Sequence, residues 1–329
     1  MLISKTPFRI SLAGGSSDIK HFYNVNGYGK VVSFTIDKFM YIMMHKLCLD
    51  NLDKIRLKYS ETEDVSNVKD IKHPIIRECL FEICPGIPTG VEIASISDVP
   101  GGTGLGSSSS FTVGLVNILF RYCGIEPINY DLASTAYKIE TARVREPCGK
   151  QDHFAAAFGG LNCYTFNSDG SVDIEPIACS GAFIDELMSR LVLFYLGSVR
   201  KSSEILGEFR KTIKDKFKIE AVRTLVGYAE KLKKDLENED LTDFGRILHD
   251  GWMIKKEISS KISSSTIDKY YDMAISAGAS GGRILGAGGG GFLLIYCEDK
   301  NRISSVTKAV GLPTIDFNYY ANGSSVVEI

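Results

Sequence analysis

The sequence is short of the features that mark several common kinds of protein. Its 329 residues carry 38 Lys and Arg against 40 Asp and Glu, a formal charge of -2. Without a positive excess there is no electrostatic footprint for nucleic acid or an anionic membrane surface, although a local anion site needs no global charge. No apolar run approaches the ~20 residues of a membrane-spanning helix. The start, MLISKTPFRISLAGG, lacks the apolar core of a secretory signal. The eight cysteines are spread thinly, with no Cys-x-x-Cys pair and no zinc-type Cys/His spacing, so they read as reduced thiols. Repeats and low-complexity tails are absent too. What remains is a soluble, cytoplasmic, globular protein that is 44% hydrophobic and long enough for two domains or one large one.

What is present is a strand-rich first part and a charged, helical later part. FRISLAG and VVSFTIDKFMYIMMHKL are strand-like runs bounded by glycine, and VEIASISDVP is a further strand. Phe111, Leu115, Ile118, Leu119 and Tyr122 recur at helical spacing over residues 107–123. YDLASTAYKIETARVRE reads as a second helix, stopped by Pro147 and Gly149. DHFAAAFGGLNCYTF reads as a helix, a Gly-Gly break and a strand. The dense run of charge from Arg200 to about Asp240 predicts a pair of solvated helices. The composition shifts after Gly181, which divides the chain into 1–183 and 184–329.

The strand VEIASISDVP runs straight into PGGTGLGSSSS, residues 100–110. Gly101, Gly102, Gly104 and Gly106 bring bare backbone to the start of a helix, where free N–H groups and the helix dipole favour an anion. The loop is not a Walker motif, since Ser107 stands where the lysine belongs, nor is it the dinucleotide fingerprint. A plain Ser/Gly helix cap is the competing reading. Further on, Gly286, Gly288 and Gly291 satisfy G-x-G-x-x-G. They precede a strand and open no helix, so they read as a tight turn or a second backbone wall beside a ligand.

With these blocks in view, the sequence resembles the GHMP kinases, the family of galactokinase, homoserine kinase, mevalonate kinase and phosphomevalonate kinase. PGGTGLGSSSS is similar to their phosphate loop, KTPFRISLAGGSSDI to their N-terminal motif, and GRILGAGGGGFLLIY to their C-terminal glycine motif. Within the family the likeness is greatest to D-glycero-D-manno-heptose 7-phosphate kinases, through SKTPFRISLAGGSSD, VVSFTIDKFMYI, GKQDHFAAAFGGLNCYTF and LFYLGSVRKSSEIL. Those kinases typically read Gly-Gly-Gly-Thr-Asp where this chain has Gly14, Gly15, Ser16, Ser17 and Asp18. The resemblance implies an α+β fold of two domains, the first like a ribosomal-protein domain and the second a ferredoxin-like α/β sandwich, with ATP and substrate meeting in the cleft.

It also implies roles. The phosphates of ATP fall to Gly101, Gly102, Gly104, Gly106, Ser107, Ser108 and Ser109, and Mg2+ to Ser108 and Glu140. Asp152 is the acidic residue facing the sugar hydroxyl, as general base or as an orienting group, with Arg9 as the cation beside it. Asp18, Gly15, Ser16, Ser17, Gly288 and Gly289 border the sugar. Lys150, Arg200 and Lys201 are the candidates for a phosphate already on the substrate. His21 and His153 flank the motifs and read as packing or solvent-facing residues. The implied activity is ATP-dependent phosphorylation of the anomeric hydroxyl of heptose 7-phosphate, supplying nucleotide-activated heptose for surface polysaccharide. A kinase for a free sugar of fucose or galactose type and a non-catalytic sugar sensor are the alternatives. The partners are a small sugar phosphate and ATP, with a homodimer left open.

Overall fold

The computed structural model describes residues 1–48, 52–84, 89–197 and 215–329. The first half runs β1 (Leu2–Ala13), α1 (Lys20–Asn26), β2 (Tyr28–Lys46), β3 (Ile55–Lys58), β4 (Thr62–Val65), α2 (Pro74–Ile83), β5 (Val91–Ser97), α3 (Ser107–Tyr122), α4 (Asn129–Lys138), α5 (Gln151–Phe158), β6 (Leu161–Asn167) and β7 (Val172–Pro176). The second half runs α6 (Gly181–Met188), β8 (Leu191–Tyr195), α7 (Lys216–Glu237), α8 (Phe244–Ile258), α9 (Ser265–Ser276), β9 (Gly281–Ile284), β10 (Phe292–Tyr296), α10 (Ile303–Val310), β11 (Thr314–Ile315) and β12 (Ser325–Glu328).

Two sheets organise these elements. One has the order β12-β1-β2-β5-β3-β4, with β6 pairing β2 and β7 pairing β6. The other is four-stranded, β11-β8-β10-β9, and antiparallel throughout. The strand β12 pairs with β1, so the end of the chain returns to the first sheet. A cut at 183/184 would therefore fall inside α6 and part β12 from its sheet.

Strand alternation sets the polarity of β1. Phe8, Ile10 and Leu12 are buried in the apolar core, whereas Arg9 and Ser11 turn to the opposite face and line a cavity. Bulges between Pro7 and Phe8 and between Ser11 and Ala13 bracket this short stretch. Behind it, α3 packs on β1 and β2, burying nearly its whole first three turns.

The charge-dense run from Arg200 to about Asp240 is described only in part: residues 198–214 lie outside the described residues, and Lys216–Glu237 is one long helix. Its stripe of Ala221, Val222, Leu225, Val226, Ala229, Leu232 and Leu236 is buried, and charge covers the other face. Among the described residues no helix is long and apolar enough to cross a membrane. All eight cysteines are free thiols.

Candidate active site

The loop Pro100–Gly106 enters α3 with no side-chain cap, and Gly106 at the N-cap is left-handed at φ 78°. The first backbone bond of the helix runs from Ser110 N–H to Gly106 O. The amides of Ser107, Ser108 and Ser109 therefore have no intrahelical acceptor, as for the first turn of any helix, and are free for an anion. Gly104 also stands at positive φ, 87°, and a Cβ there would lie 2.4 Å from the carbonyl oxygen of Leu285. Glycine is required at that position because the two glycine-rich loops touch backbone to backbone: a Cβ on Gly286 would meet Gly104 Cα at 2.6 Å.

Gly102, Gly104, Gly106 and Ser107–Ser109 form one wall of a cavity of about 510 Å³. Arg9, Gly15, Ser16, Asp18, Glu140 and Asp152 line it as well. Gly101 is exposed on the outer side of the loop and does not line it. Arg9 is buried and reaches across from β1. Its Nε donates to Asp152 Oδ1 at 2.8 Å, its Nη2 lies 2.7 Å from the same oxygen, and its Nη1 donates to Gly104 O at 2.7 Å. One guanidinium thus fixes both the phosphate loop and the carboxylate that opens α5.

Asp18 sits at the start of the same helix and accepts from Gln151 N–H at 3.2 Å. Gly149 makes room for it, since a Cβ there would fall 1.8 Å from Asp18 Oδ2. Burial, followed by the charge of Asp152, raises the Asp18 carboxyl above its ordinary range. Ser16, which replaces the usual glycine, holds φ at 82°, a conformation that costs a non-glycine residue about 1 kcal/mol or more.

Glu140 lies on a single π-turn, Ile139–Val144, that continues α4. It is almost fully buried and accepts hydrogen bonds from Thr112 and, at 3.3 Å, from Ser108. His153 Nε2 lies 3.4 Å away, short of good hydrogen-bond geometry, and neither ring nitrogen has another partner. Burial pushes the Glu140 carboxyl up, but the nearby His153 and the hydrogen bonds from Thr112 and Ser108 outweigh it, leaving the pKa lowered. A hydroxyl and an ionised carboxylate are hard oxygen donors, which suits magnesium. Cys148 adds a softer donor to the group, within 4.8 Å of the Glu140 and His153 ligand atoms.

Several sequence expectations are corrected. Lys150 does not reach the cavity: its buried side chain donates to Gly170 O and lies over the rings of Tyr23 and Tyr137. The Ser17 hydroxyl is spent on backbone: it donates to Gly14 O at 2.7 Å and accepts from Lys30 N–H at 2.9 Å. Gly288 and Gly289 pack on Ile262, with Gly289 N–H bonded to Ile262 O, and Gly286 and Ala287 line the cavity in their place. His21 does not line the cavity, in keeping with its reading as a packing or solvent-facing residue. Arg200 and Lys201 lie outside the described residues.

The same glycine loops and helices are matched by two family models. One is described as GHMP kinases N terminal domain and covers residues 73–160; the other, GHMP kinases C terminal, covers 232–312. The chain belongs to the GHMP kinases. This GHMP kinase is 29% identical, over 97% of both chains, to a D-glycero-alpha-D-manno-heptose 7-phosphate kinase of Campylobacter jejuni. A solved structure described as a D-glycero-D-manno-heptose 1-phosphate kinase from Bacteroides thetaiotaomicron aligns with a TM-score of 0.81 at 25% identity, covering 100% of this chain and 99% of that one. A Lactococcus lactis galactokinase complexed with galactose shares the fold, at a TM-score of 0.77 and 19% identity over 98% of this chain and 95% of that one. The protein is therefore a phosphotransferase with the α+β GHMP kinase fold.

Two residues of this GHMP kinase site belong to no quoted role in the motifs. Lys255 on α8 and Arg283 on β9 are both buried and line the cavity. Lys255 donates to Gly286 O at 2.6 Å, and Arg283 Nη1 to Leu12 O at 2.7 Å. A signal for Lys255 exists in the sequence. It falls in register with Phe244, Leu248, Gly251, Trp252 and Ile258, the buried stripe of α8.

Proposed function

We propose that this protein transfers the γ-phosphoryl group of ATP to the anomeric hydroxyl of D-glycero-D-manno-heptose 7-phosphate, giving the 1,7-bisphosphate and ADP. The observation that carries the reading is the Arg9–Asp152 pair, anchored to Gly104 O and facing the same cavity as Asp18 and the uncapped start of α3. The heptose assignment is supported by the similarity to the C. jejuni kinase over nearly the whole chain.

In this reading the backbone amides of Ser107–Ser109 hold the phosphates of ATP, and Asp18 accepts hydrogen bonds from sugar hydroxyls. The anomeric oxygen attacks the γ-phosphorus, its bond to the β-γ bridging oxygen breaks, and ADP departs. Asp152 accepts the hydroxyl proton, and Arg9 orients that carboxylate. Ser108 and Glu140 would hold magnesium, which would supply positive charge to offset that of the phosphates. The test is incubation with ATP, magnesium and heptose 7-phosphate, followed by phosphorus NMR of the product. A new anomeric phosphate is expected; a new phosphate on any other oxygen, or none, rejects the reading.

A further inference from the structure

Lys255 and Arg283 raise a problem of charge. Each is about 4% exposed. Among the described residues, neither has a carboxylate within ion-pair distance. The carboxylates acting on Lys255 are Asp18 and Asp152, and Asp152 is already engaged by Arg9. Burial lowers the pKa of both cations, that of Arg283 to about 10, and neighbouring cations add to the effect. Their hydrogen-bonding capacity is also largely unspent. An ammonium has three donors and a guanidinium five. Lys255 gives one to Gly286 O, Arg283 gives one to Leu12 O, and the Arg283 Nε is buried without an acceptor. Buried charge left unpaired is costly, so such a pair is stable in this cavity chiefly when an anion joins it.

Position decides which anion. In the proposed reading the uncapped amides of α3 take the phosphates of ATP. Arg283 lies beside the residues of the acceptor side: a Cβ on Gly15 would meet its Nη2 at 3.3 Å, and its Nη1 is tied to Leu12 of the strand that leads to Asp18. We infer that Lys255 and Arg283 form the subsite for a phosphate carried by the acceptor substrate, taking the place assigned to Lys150 by sequence. This rests on the reading of the acceptor as a sugar phosphate. The two side chains supply a point charge and a planar fork, a combination that suits phosphate oxygens.

Lys255→Met keeps length and burial while removing the charge. The variant should raise KM for heptose 7-phosphate by about 10- to 100-fold, the loss of one buried hydrogen bond to a charged group. KM for ATP and for free heptose should change little. If Lys255→Met does not fold, Arg283→Gln is read in the same assay. A rise in KM for ATP instead, or an equal rise for phosphorylated and free heptose, overturns the inference.

A binding experiment separates this subsite from the substrate reading. Inorganic phosphate, added with the magnesium complex of a non-hydrolysable ATP analogue already saturating, should raise the melting temperature of the wild type and not that of the variant. Should the wild type favour free heptose, the heptose phosphate reading fails and this titration alone judges the pair. Protection lost in the variant supports the subsite; protection retained there, or absent from the wild type, overturns it.

Discussion

Replacing Asp152 by Asn separates the two things this residue can do. The amide keeps an oxygen for Arg9 and for a substrate hydroxyl, but it cannot take a proton at neutral pH. Arg9 is 3% exposed and Asp152 26%, so the pair is largely shielded. Turning a charge-assisted pair into a neutral one should cost about 1–3 kcal/mol of stability. That is below the about 3–5 kcal/mol for stripping the partner from a fully buried ion pair. The melting temperature should then fall by about 2–12 °C, at roughly 2–4 °C per kcal/mol. Turnover should fall much further, at least ~100-fold, the low end for a lost general base and about 2.7 kcal/mol in the barrier. The amides of Ser107–Ser109 are untouched, so the KM for ATP should stay within a few-fold. Steady-state kinetics with a coupled ADP assay, alongside a thermal melt, reads all three quantities. Near-wild-type turnover in a folded Asp152→Asn variant would refute the proton-acceptor role and leave Asp152 only to orient the hydroxyl.

Glu140→Ala should flatten and shift the magnesium dependence of the rate, because it removes the carboxylate beside Ser108. A magnesium titration that overlays the wild type would show that Glu140 is not a ligand. Gly149→Ala places a Cβ where Asp18 Oδ2 now lies, so it should raise KM for the sugar by tenfold or more, about 1.4 kcal/mol, while leaving KM for ATP nearly unchanged. An unchanged sugar KM in that variant would remove Asp18 from the sugar site.

The sequence carried the local part of this account well. The glycine loop before α3, the helix–Gly-Gly–strand unit from Gln151 to Asn167, and the alternation that turns Arg9 away from Phe8 and Ile10 are short-range signals. Arg9 and Asp152 are 143 residues apart, and only the resemblance to a family linked them before the fold did. Lys150 shows where closeness in sequence misleads. It adjoins the motif residues Gln151 and Asp152, yet its side chain turns back to the Gly170 turn. Lys255 shows the reverse, since a lysine in IKKE reads as solvated until its place on the buried stripe of α8 is counted. The return of β12 to β1 is a pairing across the whole length of the chain, which no local pattern encodes. In the charged run around α7 the composition conceals an apolar stripe of helical period.

The central claim is that the acceptor is a phosphorylated heptose, and kcat/KM for four sugars tests it most directly. Heptose 7-phosphate, free heptose, fucose and galactose would be compared at saturating ATP and magnesium. The account predicts that heptose 7-phosphate leads each free sugar by at least tenfold, about 1.4 kcal/mol in transition-state binding. A free sugar ahead by the same margin would contradict the heptose phosphate assignment and leave a kinase of a different sugar.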